Sequence, residues 1–564
     1  MSHKIDVIHC SMNRCTDCSE RIDDRCQKLN SMKNNPNKTV ALVEPTRGLI
    51  HLWFPESGFP LDAPWYSEGW ESVFIGANDD FFDCCYDLID ICLVEPYLCV
   101  FMNQHDDSQF IFQSRPLVKT SLELSLLNTL IEEFRFFTGP SQSIREGVSS
   151  QQQRITDEVL RHLQVHIPEI NDNSGLRLSQ IVAHSTCILG RIIPILSDEL
   201  TEEIYLDGPE NPIYFDHQIH GRCITQIMYT DNEIPRITTF IRAESNQHLD
   251  RANPSVKMDL NFLGNALRLS ASIPPLSMSA LSLEIRRARR NPYSIKSLIQ
   301  NGTVTPEAAA LLILAVVSRL NITITGGPGT GKTTLLNALD MITPQWWRKI
   351  YIEDAIESKS LSNQHQVRLQ VDSIDEHHNR LNKSEEIVKC LHRSPDYIIL
   401  GEIQTAEHSQ ALFQAISAGL RTIQTCHSDS ASGLISRWVL SHGIENSSLG
   451  LMDIIVTLEK PRPGESHRQV KEIVEIRKEV KDGLLVFTGL NTIYDVTHSS
   501  CINFAQDGTI QNLARSIGVT EWQRGINDFI EIIRRTSEIV EFERIGDELW
   551  SYGHPMEFTG YQSK

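Results

Sequence analysis

A glycine-rich run ending in a lysine and a hydroxyl, Gly326, Gly327, Pro328, Gly329, Thr330, Gly331, Lys332 and Thr333, is the part of this chain best equipped for chemistry. It has the form G-x-x-x-x-G-K-[ST], in which the glycines let successive backbone N–H groups crowd around one anion and the lysine adds a mobile positive charge. Such a loop cradles phosphates: Lys332 can bridge the β and γ phosphates, the Thr333 hydroxyl can ligate Mg²⁺, and Thr334 extends the binding set by one more residue. Pro328 has no N–H, so the cage rests on its neighbours.

Further reactive side chains stand just after apolar runs. Glu353, with Asp354 and Glu357, follows Arg348-Lys-Ile-Tyr-Ile352; Glu402 follows Asp396-Tyr-Ile-Ile-Leu400 and Gly401; His427 follows Thr422-Ile-Gln-Thr425 and Cys426. A carboxylate near a γ phosphate can orient or deprotonate water, which suits Glu353; Glu402 is placed to hold Mg²⁺ through water, and His427 to sense the γ phosphate by hydrogen bonding. An acidic residue after a strand also serves simply as a helix cap or a solvated turn, and a lone histidine often packs.

The elements that must position these groups are readable around them. Asn321-Ile-Thr-Ile-Thr325 alternates like a strand and Thr334-Leu-Leu-Asn-Ala-Leu-Asp340 reads as a helix. Helix-like stretches at Ser384 to Arg393 and Glu407 to Ala418 have the length of crossovers between parallel strands, so the segment from about 293 to 470 is expected to be α/β, a mostly parallel sheet covered by helices. In such a sheet ligands gather at the carboxyl ends of the strands, where all these side chains fall.

The rest of the chain needs further domains, since 564 residues exceed one core. The expected division is a Cys-rich head at 1–38, an accessory domain at 39–150, an α+β lobe at 151–292, the core at 293–470, and a strand and helical region at 471–564. Asn30 to Lys38 reads as a linker, as does the polar stretch Gly139 to Arg154, the best candidate for a mobile connection. Helices are expected near 155–200 and 509–548, and a strand pair near 470–488. A net charge of −20 disfavours a nucleic-acid binder, although Ile285-Arg-Arg-Ala-Arg-Arg290 is a local basic patch. Neither a stretch of about eighteen apolar residues nor an apolar N-terminal leader is seen, which points to a cytoplasmic protein.

Four strings carry a resemblance: Gly326 to Thr334; Ile352-Glu-Asp-Ala-Ile-Glu357; Pro395-Asp-Tyr-Ile-Ile-Leu-Gly-Glu-Ile403; and Thr425-Cys-His-Ser-Asp-Ser-Ala431. In type and order they resemble the Walker A, Asp box, atypical Walker B and His box of the type II/type IV secretion system ATPases, the motors of type IV pili, archaella and secretion machines. The likeness continues in Glu203-Ile-Tyr-Leu-Asp-Gly-Pro-Glu-Asn-Pro-Ile-Tyr-Phe-Asp-His217 and Ala266-Leu-Arg-Leu-Ser-Ala-Ser-Ile-Pro-Pro275, covers about 160 to 470, and is greatest to the archaeal branch. It implies a RecA-like P-loop NTPase lobe with an α+β N-terminal lobe and an additional N-terminal region. It also implies ATP and Mg²⁺ as cofactors, a homohexameric ring, and a polytopic membrane platform protein as partner at the inner face of the membrane. On that model Arg268, Arg286 and Arg368 resemble the arginines that meet nucleotide or a neighbouring subunit. The chain departs from the family at Gly419-Leu420, where Gly-His is usual; at Gln404, where arginine is usual; and in Leu391-His-Arg-Ser-Pro-Asp396, which moves an arginine to Arg393.

Thirteen cysteines, an odd number scattered through a long chain expected to be intracellular, argue for reduced thiols. Cys10, Cys15, Cys18 and Cys26 are close enough to close a tetrahedral Zn²⁺ site, to stay unligated, or to begin an iron–sulfur pattern. Cys84, Cys85, Cys92 and Cys99 lie among apolar residues and read as packing. Three functions compete: an ATP-hydrolysing motor, an ATP-binding subunit with little turnover, and a DNA-translocating motor that the acidic charge disfavours.

Overall fold

The computed structural model describes residues 6–9, 40–44, 49–53, 71–75, 86–104, 109–135, 148–288, 292–354, 357–358, 364–372, 381–462, 464, 466–498 and 531. Contacts divide the chain into two compact units, Met1–Arg290 and Asn291–Lys564. The cysteines at 10, 15, 18, 26, 84 and 85, the linker expected at Asn30 to Lys38, and the helices expected at 509–548, apart from residue 531, lie outside the described residues. Among the described residues no helix is long and apolar enough to cross a membrane.

The first unit holds two sheets. The smaller has the order β1 (Asp6–His9), β2 (Val40–Glu44), β3 (Leu49–Trp53), β4 (Glu71–Phe74). The larger has nine strands: β5 (Tyr86–Val94), β6 (Tyr97–Gln104), β7 (Phe110–Pro116), β8 (Thr201–Leu206), β9 (Tyr214–His217), β10 (Gly221–Thr225), β11 (Ser255–Phe262), β12 (Asn265–Ser272) and β13 (Ser282–Arg287). Their order is β11-β12-β13-β8-β9-β10-β7-β6-β5, so one sheet takes strands from both sides of position 150, through the parallel pairing of β10 with β7. β11 alternates exposed and buried residues, the pattern of an antiparallel strand with one wet face. Cys99 is fully buried and Cys92 half-buried, as expected for packing residues.

The polar stretch expected as a connection is corrected from residue 148 onward, because helix Val148–His166 begins there. Its glutamines and serines hide an apolar stripe at four-residue spacing further on, in which Ile155, Val159 and Leu163 pack against the helices Ser121–Phe134 and Asp172–Thr186.

The second unit is the expected α/β core, built on an eight-stranded sheet. Its strands are β14 (Ile322–Gly326), β15 (Lys349–Glu353), β16 (Gln366–Gln370), β17 (Tyr397–Ile403), β18 (Thr422–Cys426), β19 (Ile454–Glu459), β20 (Gln469–Lys481) and β21 (Leu484–Asp495). The order is β16-β15-β17-β18-β14-β19-β20-β21, parallel from β16 to β19 and antiparallel beyond. β14, β15 and β18 are buried on both faces, their polar residues Thr323, Thr325, Lys349, Gln424 and Thr425 included. The hairpin β20–β21 turns at Asp482-Gly483, both with positive φ, the turn whose twist matches that of its strands. The sheet therefore crosses position 470 rather than ending there.

Helix Pro306–Val317 is buried from Ala308 to Val317, and it is opened by Pro306 and by a bond from the Ala308 N–H to the Thr305 hydroxyl. Helix Lys332–Met341 follows the phosphate loop directly and packs on β14 and β18. Every crossover thus returns the chain so that Gly326, Glu353, Glu402 and Cys426 come to the same edge of the sheet.

Candidate active site

The phosphate loop owes its shape to positions where a side chain cannot fit. A Cβ on Gly326, with φ of 153°, would lie 2.5 Å from the Leu458 carbonyl oxygen of β19. Gly331, with φ of 93°, starts the helix without a side-chain cap, the arrangement in which a helix N-terminus faces an anion. The Thr330 hydroxyl bonds the Gly327 carbonyl at 2.9 Å and closes the turn. The Lys332 ammonium reaches back to the carbonyl oxygens of Gly326 at 3.1 Å and Gly327 at 2.8 Å.

That ammonium also starts a chain across the sheet edge. It donates to His427 Nδ1 at 3.3 Å, and because a lysine can only donate, Nδ1 accepts and the ring proton resides on Nε2. Nε2 in turn pairs with Glu402 Oε1, while Glu402 Oε2 accepts from the Gln404 amide. Burial pushes the Glu402 carboxyl up, but the bonds from His427 and Gln404 and the charge of Lys332 outweigh it and hold the pKa at about 2. Glu402 is therefore an anion at any physiological pH, as a group that holds a cation must be.

Glu402 is aimed by a local irregularity. The register between β17 and β18 shifts between Leu400 and Ile403, and the Gly401 carbonyl in that bulge accepts from the Thr425 hydroxyl. A Cβ on Gly401 would lie 3.1 Å from Glu353 Cγ, so glycine there lets the two acidic strand ends close up.

Glu353 is 3% exposed. Burial raises its pKa, opposed by hydrogen bonds from the Ser358 hydroxyl at 2.5 Å, the Ser358 N–H at 2.9 Å and the Glu357 N–H at 3.3 Å, and by the Arg368 charge. Arg368, on the edge strand β16, donates to the Ser358 carbonyl at 2.7 Å, so it braces the turn that holds Glu353. Arg268 and Arg286 belong to the first unit, where they are register partners across β12 and β13, and Arg286 Nε lies 3.8 Å from Glu203 Oε1. The displaced Arg393 pairs with Glu386 at 2.7 Å, and Leu420 packs on the core.

Two basic residues outside the motifs tie the boxes together. Arg437 sends Nη1 to the His427 carbonyl and Nη2 to the Gln404 carbonyl, each at 2.7 Å, from the wide helical turn Arg437–Ser441. Lys383, 3% exposed, joins Asp354 Oδ1 at 3.2 Å to the Glu402 carbonyl at 3.0 Å. Neither has a motif of its own; Lys383 stands just before a predicted crossover, which is a weak signal, and Arg437 has none.

A parallel α/β sheet with a phosphate loop on one central strand, and an acid, an imidazole and a second acid on neighbouring strand ends, defines a P-loop nucleotide-binding class. The residues present fit a magnesium-bound nucleoside triphosphate: a loop glycine with no room for a Cβ at Gly326, a helix start without a side-chain cap, and a hydroxyl and an ionised carboxylate as hard oxygen donors. Residues 195–456, a little under half of the chain, match the family model described as Type II/IV secretion system protein, and this segment is similar to that family.

Among relatives, the uncharacterized protein MJ0781 of Methanocaldococcus jannaschii is 30% identical over 240 residues, covering 41% of this chain and 32% of that protein. This chain thus spans about a third of the length of that relative. The conjugal transfer protein TrbB of Rhizobium radiobacter is 26% identical over 294 residues, covering 50% of this chain and 85% of its own. Among solved structures, the Legionella pneumophila ATPase DotB is 14% identical with a TM-score of 0.38, covering 63% of this chain and 89% of that chain.

Proposed function

We propose that the second unit binds ATP with Mg²⁺ and hydrolyses it to ADP and phosphate, and that the chain works as a ring-forming motor for a filament or secretion machine. The observation that carries the catalytic part is the connected series of Lys332, at the start of the helix after β14, His427, just past β18, and Glu402, near the end of β17. Loop amides and Lys332 bind the β and γ phosphates; Thr333 and Glu402 hold the metal. When bound, Mg²⁺ neutralises charge on the phosphate oxygens. Glu353, whose burial makes its carboxylate a better proton acceptor, orients the attacking water and takes its proton. His427, with Nε2–H on Glu402 and Nδ1 facing Lys332, changes its bonds when a phosphate competes for the lysine, and so reports the γ phosphate to β17 and β18. The family supports a homohexamer acting beside a polytopic membrane platform protein on the cytoplasmic face. Under this reading Arg268 and Arg286 contact nucleotide or a neighbouring subunit.

A second reading, an ATP-binding subunit with little turnover, is favoured by Gln404, which puts an amide on Glu402 where an arginine is usual in the family. Glu402→Gln separates the two. It removes the negative charge that holds the metal, so phosphate release should fall about 10²-fold with ATP binding retained. A wild-type protein that binds ATP and releases no phosphate supports the second reading instead. Light scattering with ATP should show six times the mass of one chain; a monomer under those conditions counts against the ring.

A further inference from the structure

Behind the strand ends runs a series of side chains that the mechanism above does not use. Arg437, whose Nη1 and Nη2 hold the His427 and Gln404 carbonyls, turns its Nε to His442 Nε2 and donates to it at 3.3 Å. An arginine can only donate, so Nε2 accepts, and the neutral ring carries its proton on Nδ1, which donates to the Ser409 hydroxyl oxygen at 2.7 Å. Both ends of the ring are anchored. Ser409 is 0% exposed on helix Ala406–Ser417, the Gln410 amide of that helix donates to the His442 carbonyl at 3.2 Å, and the wide turn closes with the His442 N–H on the Arg437 carbonyl at 3.0 Å.

The ring fits this place in one protonation state. A proton on Nε2 would set two donors and two positive charges against each other where His442 is only 7% exposed. Burial and then the Arg437 charge accordingly lower the pKa of His442 from its ordinary value. Two other titratable groups share the neighbourhood. His408, on helix Ala406–Ser417, is held at about 4 by burial first and the Lys383 charge next, against Asp354 and Glu402, so it stays neutral near pH 7. Cys426 of β18, which also feels Arg437, is pushed up to about 12 by burial and stays a thiol.

We infer that His442 is a positioning residue, which in its neutral form orients Arg437 and through it sets the Glu402 end of β17 against the His427 end of β18; this rests on the hydrolysis reading above. The two carbonyls that Arg437 holds belong to His427 itself and to Gln404, two residues past Glu402, so a guanidinium turned away from His442 loosens the pair that faces the γ phosphate. The phosphate loop is held by other bonds, those of Thr330 and Lys332. Acid should therefore slow hydrolysis while ATP stays bound.

The test measures kcat for phosphate release and KM for ATP on the full chain between about pH 8 and pH 5, with ATP affinity read by calorimetry. At the alkaline end His442→Leu, which offers Arg437 no acceptor, should lower kcat about tenfold and leave KM within about twofold. His442→Gln, whose amide oxygen can accept from Arg437 and does not titrate, should restore most of that rate. The ratio of its kcat to that of wild type cancels the titrations the two proteins share, and it should rise about threefold or more as the pH falls to about 5. A flat ratio overturns the inference, because a histidine that merely packs does not make the rate follow its own proton. So does a wild-type kcat in His442→Leu, or a KM that rises as kcat falls, since the ring then acts on binding or on the fold. A wild-type chain that binds ATP and releases no phosphate at any pH removes the hydrolysis reading and the inference with it, whereas a flat ratio in a chain that hydrolyses ATP removes the inference alone.

Discussion

Lys332→Ala should lose ATP turnover by about 10²- to 10³-fold and ATP affinity with it, since the variant gives up a charged donor in a site built around phosphate oxygens. The effect reaches beyond the ligand. In the protein the same ammonium satisfies the Gly326 and Gly327 carbonyls and points a donor at His427 Nδ1, so its removal frees two loop acceptors and loosens the imidazole. It also withdraws a charge that helps hold the Glu402 carboxyl near 2. A carboxylate with a depressed pKa adds stability that is present above its unfolded pKa of about 4.3 and is lost as pH falls from there through its folded value. Lys332→Ala should therefore flatten the acid limb of the stability profile between about pH 4 and 2, read by thermal melts across that range. Wild-type turnover in the variant would remove the phosphate loop from the mechanism altogether.

The strand ends at 353, 402 and 427 could be read before any coordinates because a parallel sheet imposes a rule on them. Apolar runs followed at once by a carboxylate or an imidazole, separated by crossover-length helices, come to one edge of such a sheet whatever the loops do. What stayed hidden depends on partners far away in the chain or on the backbone. Arg437 holds two carbonyls, and a carbonyl has no letter in a sequence. Arg368 resembles an arginine that meets nucleotide or a neighbouring subunit, and its bond to the Ser358 carbonyl is to another backbone atom that no letter marks. The helix starting at 148 was masked by the turn-forming composition of its first residues, although Ile155, Val159 and Leu163 downstream keep helical spacing. The sheet that crosses position 150 depends on β10 pairing with β7 more than a hundred residues earlier, a contact that no local pattern encodes.

The largest stability effect should come from a pair that no motif marks. Lys349→Met is expected to destabilise the second unit by about 3–5 kcal/mol, because it strands a buried carboxylate. Lys349 is 0% exposed and Asp340 3% exposed, and the ammonium meets Asp340 Oδ1 at 2.5 Å, the Thr343 hydroxyl at 2.8 Å and the Gln364 side chain. Burial lowers the lysine's pKa and Asp340 opposes that, while the Tyr351 hydroxyl at 2.7 Å takes the other carboxylate oxygen. Asp340 lies at the end of the helix that begins with Lys332, so this pair fixes the far end of the helix whose near end is the phosphate site. A positive charge there also suits the carbonyl end of the helix, where Lys349 reaches the Asp340 carbonyl at 3.3 Å. Chemical denaturation should show the loss as a lower midpoint, and Lys349→Met combined with Asp340→Leu should recover much of it, since a neutral pair leaves no charge unpaired. If the single variant matches wild type, the carboxylate has found another partner or a proton. If the double variant is as unstable as the single, the cost lies in packing and not in the stranded charge.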